Sequence, residues 1–166
     1  MGCKALFIGG IKSGKSLQAE KYTLKLYPHK PIYLATNEVF DEEMQERVKQ
    51  HKLQRQDSFI TLEEPLHLYK TLQHQNKTVL IECISMWINN MLYHGFTQQD
   101  IFDEIEQLST LPQDIVFVIN DVSCSVVSEN KLVREFVDIN GKVAQLLAQK
   151  SQEVYNIVAG LEVQIK

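Results

Sequence analysis

The sequence predicts an α/β fold in which helices flank a mostly parallel sheet. Four short runs, KALFIGG, PIYLAT, TVLIEC and DIVFVIN, are almost continuously apolar, as strands buried on both faces are. Longer segments of helical period separate them, and strands that alternate with helices favour parallel pairing. The last apolar segments, EVYNIVAG and LEVQIK, flank a turn at 159–161 that predicts an antiparallel C-terminal strand.

The segments between the strands are predicted to be helices. The first, 15–27, stops at Pro28, and the second, 41–55, begins with acidic residues that favour a helix N-terminus. The other predicted helices cover 64–74, 85–93, 98–108 and about 128–150, with Gly141 as a weak point in the last. With 166 residues and 44% apolar composition, we expect a single domain over 1–166.

Composition argues against several classes of protein. Seventeen basic residues face 21 acidic ones without a basic stripe, which argues against a nucleic-acid partner. The cysteines, Cys3, Cys83 and Cys124, are odd in number and far apart, so they predict neither a disulfide framework nor a zinc site. No apolar run reaches 18 residues, so we expect no membrane span. A cytoplasmic enzyme is the resulting expectation.

The segment GGIKSGKS satisfies the phosphate-loop pattern G-x-x-x-x-G-K-[ST] between an apolar strand and a helix. Its glycines let backbone N–H groups face phosphate oxygens, Lys15 is expected at the outer phosphates, and Ser16 is expected to offer its hydroxyl to Mg²⁺. A chance match occurs on the order of once in a few hundred chains of this length. The predicted nucleotide-binding residues are Gly9, Gly10, Ile11, Lys12, Ser13, Gly14, Lys15 and Ser16.

A phosphate loop needs a carboxylate from a neighbouring strand to organise the metal. Two strands end suitably, one at Glu82 and one at Asn120 followed by Asp121. Either residue can be an ordinary polar strand terminus. We expect Glu82 to be the metal ligand, because its strand is the more apolar and therefore the more central.

Arg47, His51 and Arg55 recur every four residues and share one face of the predicted second helix. The common interpretation of such a stripe is a charged helix face in water. The other interpretation is a nucleophile between two phosphate clamps, because the preceding strand ends near the phosphate loop and flanking guanidiniums keep an imidazole neutral and nucleophilic. The pattern alone leaves both interpretations open.

The order of motifs resembles one family over almost the whole chain. GGIKSGKS, YLAT, DEEMQERVKQHKLQR, LIECISMWINNML, SENKLVREFVDINGKVAQ and VAGLEVQIK follow one another as in the bifunctional adenosylcobinamide kinase and adenosylcobinamide-phosphate guanylyltransferases of cobalamin assembly. The resemblance implies a P-loop NTPase fold of the recombinase (RecA-like) type and a homotrimer. It implies adenosylcobinamide as substrate, and GTP, ATP and Mg²⁺ as cofactors.

The resemblance also assigns residue roles. His51 would take GMP from GTP as a covalent intermediate, and Lys15 would act in the kinase step. Guanine-nucleotide contacts are expected at Ala35, Thr36, Asn37, Lys52, Leu53, Gln54, Arg55, Glu63 and Glu82. A kinase acting on another small alcohol and a non-catalytic nucleotide switch are the alternatives.

The chain departs from the family pattern after Asn120. NDVSCS stands where members have Asn-Glu-Val followed by glycines, so we expect a stiffer loop. Ser128 replaces a proline, and Ala144 replaces an asparagine. These changes touch neither the phosphate loop nor His51, so they bear on the corrinoid substrate more than on the nucleotide.

Overall fold

The computed structural model describes residues 1–38, 42–55, 57–124 and 126–166, and in helix α2 (Glu42–Arg55) it omits the side chains of Arg47, His51 and Gln54. The strands are β1 (Lys4–Gly9), β2 (Ile32–Ala35), β3 (Ile60–Glu63), β4 (Val79–Glu82), β5 (Ile115–Asn120), β6 (Glu153–Val158) and β7 (Leu161–Gln164). The other helices are α1 (Lys15–Leu26), α3 (Leu68–Leu72), α4 (Ile84–Tyr93), α5 (Gln98–Thr110) and α6 (Lys131–Lys150).

The strands form one seven-stranded sheet in the order β3-β2-β4-β5-β1-β6-β7. Neighbouring strands are parallel except β6 and β7, which are antiparallel. In the turn between these two, Ala159 and Gly160 have φ of 49° and 78°, and a two-residue type I′ hairpin needs two such positive angles. The predicted α/β fold with an antiparallel C-terminal strand is confirmed.

Apolar side chains cover both faces of the sheet. On one face Leu68, Trp87, Ile105 and Val143 from α3 to α6 belong to the larger buried cluster. On the other face lies the smaller cluster, to which Ala19 of α1 belongs together with strand residues. Helices on both faces explain why the strands read as continuous apolar runs. No helix in the described part of the chain has the length and apolar character needed to cross a membrane.

Strand β3 was not predicted from the sequence. It lies at the edge of the sheet beside β2, and its four residues are exposed or only half-buried. Such a short, shallow strand has no continuous apolar run, so its sequence carries little signal. It matters because it ends at Glu63, in register with Ala35.

Helix α3 is shorter than the predicted 64–74. The Glu64 carboxylate accepts hydrogen bonds from the backbone N–H groups of Leu66 and His67 at 2.9 and 2.8 Å, so Glu64 organises the turn before the helix. Side chains that bind nearby backbone groups in this way compete with helix formation.

The reasoning that selected Glu82 for its central strand is wrong. β5 is the middle strand of the seven, and it separates β4 from the phosphate-loop strand β1. Both strands are buried, so apolar content does not rank their positions. The choice between Glu82 and Asp121 therefore depends on side-chain geometry.

Candidate active site

The phosphate loop connects β1 to α1 through a tight turn. Lys12 and Gly14 adopt positive φ of 57° and 93°, and the backbone N–H of Ser13 donates to the Gly10 carbonyl at 3.2 Å. A Cβ on Gly9 would lie 2.5 Å from Ser13 Oγ and 2.7 Å from a backbone oxygen of Ile157. Glycine at position 9 is thus required by the close approach of the chain.

The turn between β6 and β7 holds this loop from outside. Gly160 donates its backbone N–H to the Ser13 carbonyl at 2.7 Å, and its own carbonyl accepts from the Gln18 side chain at 2.8 Å. A Cβ on Gly14 would lie 3.1 Å from the Gly160 Cα. The C-terminal hairpin therefore fixes the conformation of the phosphate loop.

Lys15 is the first residue of α1 and is buried. Its ammonium donates to the Gly10 carbonyl at 3.2 Å, across the loop. An ammonium has three donors, so this contact leaves capacity for phosphate oxygens. The N-terminus of α1 adds a partial positive charge at the same place.

The geometry brings Glu82, and not Asp121, to the phosphate loop. Ser16 donates its hydroxyl to Glu82 Oε1 at 2.7 Å. The Asp121 carboxylate instead accepts from the backbone N–H and the hydroxyl of Ser123, at 2.9 and 2.5 Å. Ser16 and Glu82, each predicted to bind Mg²⁺, are thus in direct contact, although the strand argument for Glu82 failed.

The second oxygen of Glu82, Oε2, is buried and has no hydrogen-bond partner among the described residues. Burial raises the pKa of Glu82 to about 7, while the Ser16 hydrogen bond and the charge of Lys15 oppose that rise. A carboxylate and a hydroxyl are hard oxygen donors of the kind Mg²⁺ prefers, and Mg²⁺ commonly takes only one or two carboxylates beside phosphates and water. The donor set therefore fits this ion.

A cavity of about 240 Å³ opens beside Ser16 and Glu82, between α1, α2 and the carboxyl ends of β2, β3 and β4. In the strand register Ala35 pairs with both Glu63 and Glu82, so these three residues form one row across the sheet. The lining residues are Ser16, Glu20, Tyr33, Ala35, Asn37, Val48, Lys52, Arg55, Glu63 and Glu82.

Seven of the predicted site residues line this cavity: Ser16, Ala35, Asn37, Lys52, Arg55, Glu63 and Glu82. Lys52 and Glu63 form an ion pair with 2.5 Å between Nζ and Oε1. Leu53 is exposed and does not line it. Residues 9–14 form the adjacent phosphate loop.

Thr36 is buried, and its hydroxyl forms hydrogen bonds with the backbone of Cys83. Its hydroxyl accepts from the Cys83 N–H at 3.0 Å and donates to the Cys83 carbonyl at 2.8 Å. Its own carbonyl accepts from the Asn90 side chain at 2.6 Å. Thr36 thus fixes the chain that follows Glu82, and its expected contact with nucleotide has no support from this arrangement.

Arg55, the last residue of α2, reaches into the cavity. Its guanidinium carbon lies 3.7 Å above the centroid of the Tyr33 ring, and a terminal nitrogen lies 3.9 Å from Glu20 Oε1. Its Nε is buried and has no hydrogen-bond partner in the described ranges. A buried cation with unused donors is suited to bind an anion.

Comparison with known proteins identifies the family of this chain. The family model for cobinamide kinase / cobinamide phosphate guanyltransferase matches residues 5–165. This chain belongs to that family. The bifunctional adenosylcobalamin biosynthesis proteins CobU of Escherichia coli and CobU of Salmonella typhimurium are each 34% identical to it, over 97% of this chain and 98% of theirs. CobP of Pseudomonas aeruginosa is 33% identical over 97% of this chain and 96% of its own.

Solved structures share the fold of this family member, a mostly parallel sheet flanked by helices. The flagellar accessory protein FlaH of Methanocaldococcus jannaschii aligns with a TM-score of 0.52 at 12% identity. A KaiC-like protein of Pyrococcus horikoshii aligns with a TM-score of 0.51 at 13% identity. Each alignment covers 93% of this chain and 70% of the other.

In this cobinamide kinase / guanyltransferase family member, the proposed nucleophile His51 lies in α2, one turn before Arg55. The side chains of His51, Arg47 and Gln54 lie outside the described residues, so the roles predicted for them remain predictions. The backbone alone places position 51 on a helix whose C-terminal turn borders the cavity.

Sequence reasoning missed Glu20, Tyr33 and Val48 as lining residues. A signal for two of them was present. Glu20 lies four residues after Ser16 on α1, and therefore on the same helix face. Tyr33 lies two residues before Ala35, and therefore on the same face of β2.

Proposed function

We propose that this protein phosphorylates adenosylcobinamide with a nucleoside triphosphate and then transfers GMP from GTP to the resulting adenosylcobinamide phosphate. One observation carries the proposal. Ser16 and Glu82, beside the phosphate loop, line the same cavity as Lys52 and Arg55 from the helix that bears His51. Both phosphoryl chemistries thus have residues at one site.

The kinase step uses the phosphate loop. The hydroxyl oxygen of the substrate attacks the γ-phosphorus, the bond to the β-phosphate oxygen breaks, and the nucleoside diphosphate leaves. The hydroxyl proton passes to solvent or to a nearby base. Lys15 and the loop N–H groups stabilise the charge on the transferring phosphoryl group.

Ser16 and Glu82 would hold Mg²⁺, consistent with their mutual contact and with the unpartnered Oε2. The ion supplies neutralising positive charge to the phosphate oxygens when it is bound. Glu82 serves it only in the ionised form, so the environment that raises the pKa of Glu82 couples metal binding to proton release.

The guanylyl transfer uses His51 as nucleophile. An imidazole nitrogen forms a bond to the α-phosphorus of GTP, and the bond to the bridging oxygen breaks with release of pyrophosphate. A phosphate oxygen of adenosylcobinamide phosphate then attacks the same phosphorus, the phosphorus–nitrogen bond breaks, and His51 is regenerated. Arg55 and Lys52 supply cationic contacts to the nucleotide.

Three further predicted contacts that line the cavity, Ala35, Asn37 and Glu63, are proposed to bind GTP from its wall. A homotrimer, a cytoplasmic location and a single domain over 1–166 belong to the same proposal and follow from the resemblance and the composition.

Incubation with α-labelled GTP and Mg²⁺ tests the proposal. The protein should acquire acid-labile, alkali-stable label, as a phosphorus–nitrogen bond to imidazole does, while γ-labelled GTP should leave none there. His51→Ala should lose the label and the guanylyl transfer but still phosphorylate adenosylcobinamide. His51→Asn should behave like alanine in labelling and closer to the parent in GTP affinity. Guanylyl transfer by either variant would exclude the covalent route.

A further inference from the structure

We propose that Glu20 is a positioning residue that, together with Tyr33, seats the Arg55 guanidinium and so aligns the last turn of α2 for guanylyl transfer. The inference rests on the proposed function, because it assigns Glu20 a part in the reaction of His51. Glu20 is on the phosphate-loop helix and Arg55 ends the nucleophile helix, so this contact joins the two helices.

The seat of Arg55 is a closed ring of contacts. The guanidinium lies over the Tyr33 ring at 3.7 Å, and the Tyr33 ring packs edge-on against Phe59 with 5.7 Å between centroids. The backbone N–H of Phe59 then donates to the Arg55 carbonyl at 3.0 Å. Ser58 donates to the same carbonyl at 2.9 Å. Both the main chain and the side chain of Arg55 are thus anchored in one place.

A further anchor of helix α2 is the Lys52–Glu63 ion pair, which joins its last turn to β3. Among its described side chains Leu53 is exposed, and the only apolar one that lines the cavity is Val48. Most stability of a short helix comes from packing of an apolar face, and α2 is rich in charged and amide residues. The contacts of the last turn, with the seat of Arg55 among them, therefore set the direction from which the helix presents position 51.

Glu20 supplies charge to this seat without consuming the donors of Arg55. The side chains of Arg55 and Glu20 are only 12% and 23% exposed, yet their closest approach is 3.9 Å and Arg55 Nε has no partner in the described part of the chain. Burial raises the pKa of Glu20, and Arg55 opposes that rise. A buried ion pair adds stability only when its geometry is good and hydrogen bonds satisfy both groups. This pair holds the cation by charge and leaves the Arg55 Nε–H without a partner among the described residues.

The consequence concerns His51 and not the phosphate loop. Position 51 lies about 6 Å along the helix axis from Arg55, so a shift of the guanidinium moves the nucleophile relative to the bound triphosphate. The hydrogen bonds of Lys15 to Gly10 and of Ser16 to Glu82 do not involve Glu20. Guanylyl transfer should therefore slow while the kinase step continues.

The test compares Glu20→Gln, which keeps the shape and removes the charge, with Glu106→Gln. Glu106 forms a surface ion pair with Lys150 at 2.6 Å and serves as the control for loss of a carboxylate. At saturating α-labelled GTP and Mg²⁺, Glu20→Gln should label the protein about 10- to 100-fold more slowly. Its kinase turnover should match that of Glu106→Gln, and its melting temperature should be no lower, because the neutral amide avoids the cost of a buried charge.

A second pair of variants tests the seat itself. Tyr33→Phe keeps the ring under Arg55 and should label like the parent, whereas Tyr33→Leu should label slowly. The double variant of Glu20→Gln and Arg55→Ala should be no slower than Arg55→Ala alone, because Glu20 acts through Arg55.

The outcomes separate this inference from the proposed function. Unchanged labelling by Glu20→Gln overturns the positioning role. An equal fall in labelling, kinase turnover and melting temperature shows a structural residue and also overturns it. Absence of label on the parent protein refutes the covalent mechanism itself, and the role of Glu20 in it falls with it.

Discussion

Buried charges at the two ends of the parallel sheet are satisfied to different degrees. At the amino end, Lys4 donates its ammonium to three backbone carbonyl oxygens at 2.8 to 3.3 Å. The Glu153 carboxylate there accepts from the hydroxyls of Tyr22 and Tyr155 at 2.8 and 2.6 Å. Each of these charged groups has several polar partners within the fold.

At the carboxyl end, buried polar atoms lack hydrogen-bond partners. Glu82 Oε2, Arg55 Nε and Ser13 Oγ have no hydrogen-bond partner among the described residues. Two neutral oxygens at the amino end, on Gln113 and Ser151, share this condition, so the difference between the ends concerns the charged groups, and Glu82 and Arg55 both line the cavity. Unpaired buried charge costs stability, so its concentration beside a cavity indicates groups that a ligand completes.

The largest expected effect is on catalysis at the carboxyl end. Lys15→Ala should lower kinase turnover by about 10²- to 10³-fold, because one charge that stabilises the transferring phosphoryl group is lost. Its melting temperature should stay near that of the parent, since within the described residues the ammonium makes one hydrogen bond, of 3.2 Å. Exposed Lys21 on the same helix provides the control Lys21→Ala. A loss smaller than about tenfold would remove Lys15 from the mechanism.

The next largest expected effect is a gain in stability when the Glu82 carboxylate is replaced by an amide. With its pKa raised to about 7 in the fold, from 4.5 when unfolded, Glu82 binds more proton in the native than in the unfolded protein between these values. Stability therefore falls as the pH rises from 4.5 to 7, by at most about 3 kcal/mol. Glu82→Gln should unfold at higher denaturant concentration than the parent at pH 8, without Mg²⁺, and should lose this advantage near pH 4.5.

The same variant should weaken Mg²⁺-dependent nucleotide binding more than metal-free binding, because the amide keeps the shape and loses the charge. Asp121→Asn is the control. It should neither weaken Mg²⁺-dependent nucleotide binding nor raise the stability of the fold. If Asp121→Asn impaired Mg²⁺-dependent binding while Glu82→Gln did not, the metal carboxylate would be on β5.

Replacement of a buried charge at the amino end should lower the stability of the fold, the opposite of the effect expected for Glu82→Gln. Lys4→Met fills similar space but leaves buried carbonyls without a donor, so we expect the free energy of unfolding to fall by about 1–3 kcal/mol. The KM for GTP should not change, because Lys4 is at the far end of β1 from the phosphate loop. Lys25→Met, at an exposed position on α1, is the matched control. Unchanged stability of Lys4→Met would show that the two ends do not differ in this way.

How much of the site the sequence reveals depends on how local each part is. The phosphate loop was predicted in full, because its residues are contiguous and its pattern carries its own physical reason. The strands of the sheet interior were predicted because burial on both faces leaves continuous apolar runs. The edge strand β3 was missed because it has no such run.

The parts that depend on tertiary contact were beyond the sequence. The order of the strands places β5 between β4 and β1, and no linear pattern states it. Tyr33 reaches Arg55 only because β2 and the end of α2 converge, so nothing in YLAT or HKLQR suggests the stack. Glu20 has helical spacing from Ser16, but the residue it faces, Arg55, lies in a different helix, so the sequence of α1 alone gives no sign of the contact.

The smallest expected effect concerns the loop after β5, where the chain departs from its relatives. Ser123 donates its backbone N–H and its hydroxyl to the same oxygen of Asp121. The glycine of the family pattern has no hydroxyl, so it can form only the backbone hydrogen bond. A hydrogen bond of about 0.5 kcal/mol corresponds to about a twofold change in rate if it must open during turnover. Ser123→Gly should therefore raise corrinoid turnover about twofold and leave the KM for GTP unchanged.

Ser123→Ala removes the hydroxyl but keeps a less mobile backbone, so it separates the hydrogen bond from chain flexibility. Ser125, the other candidate for glycine, lies outside the described residues, and the double change to glycine at both positions should exceed Ser123→Gly if stiffness limits turnover. Equal turnover by all of these variants would show that the serines of this loop do not limit the reaction.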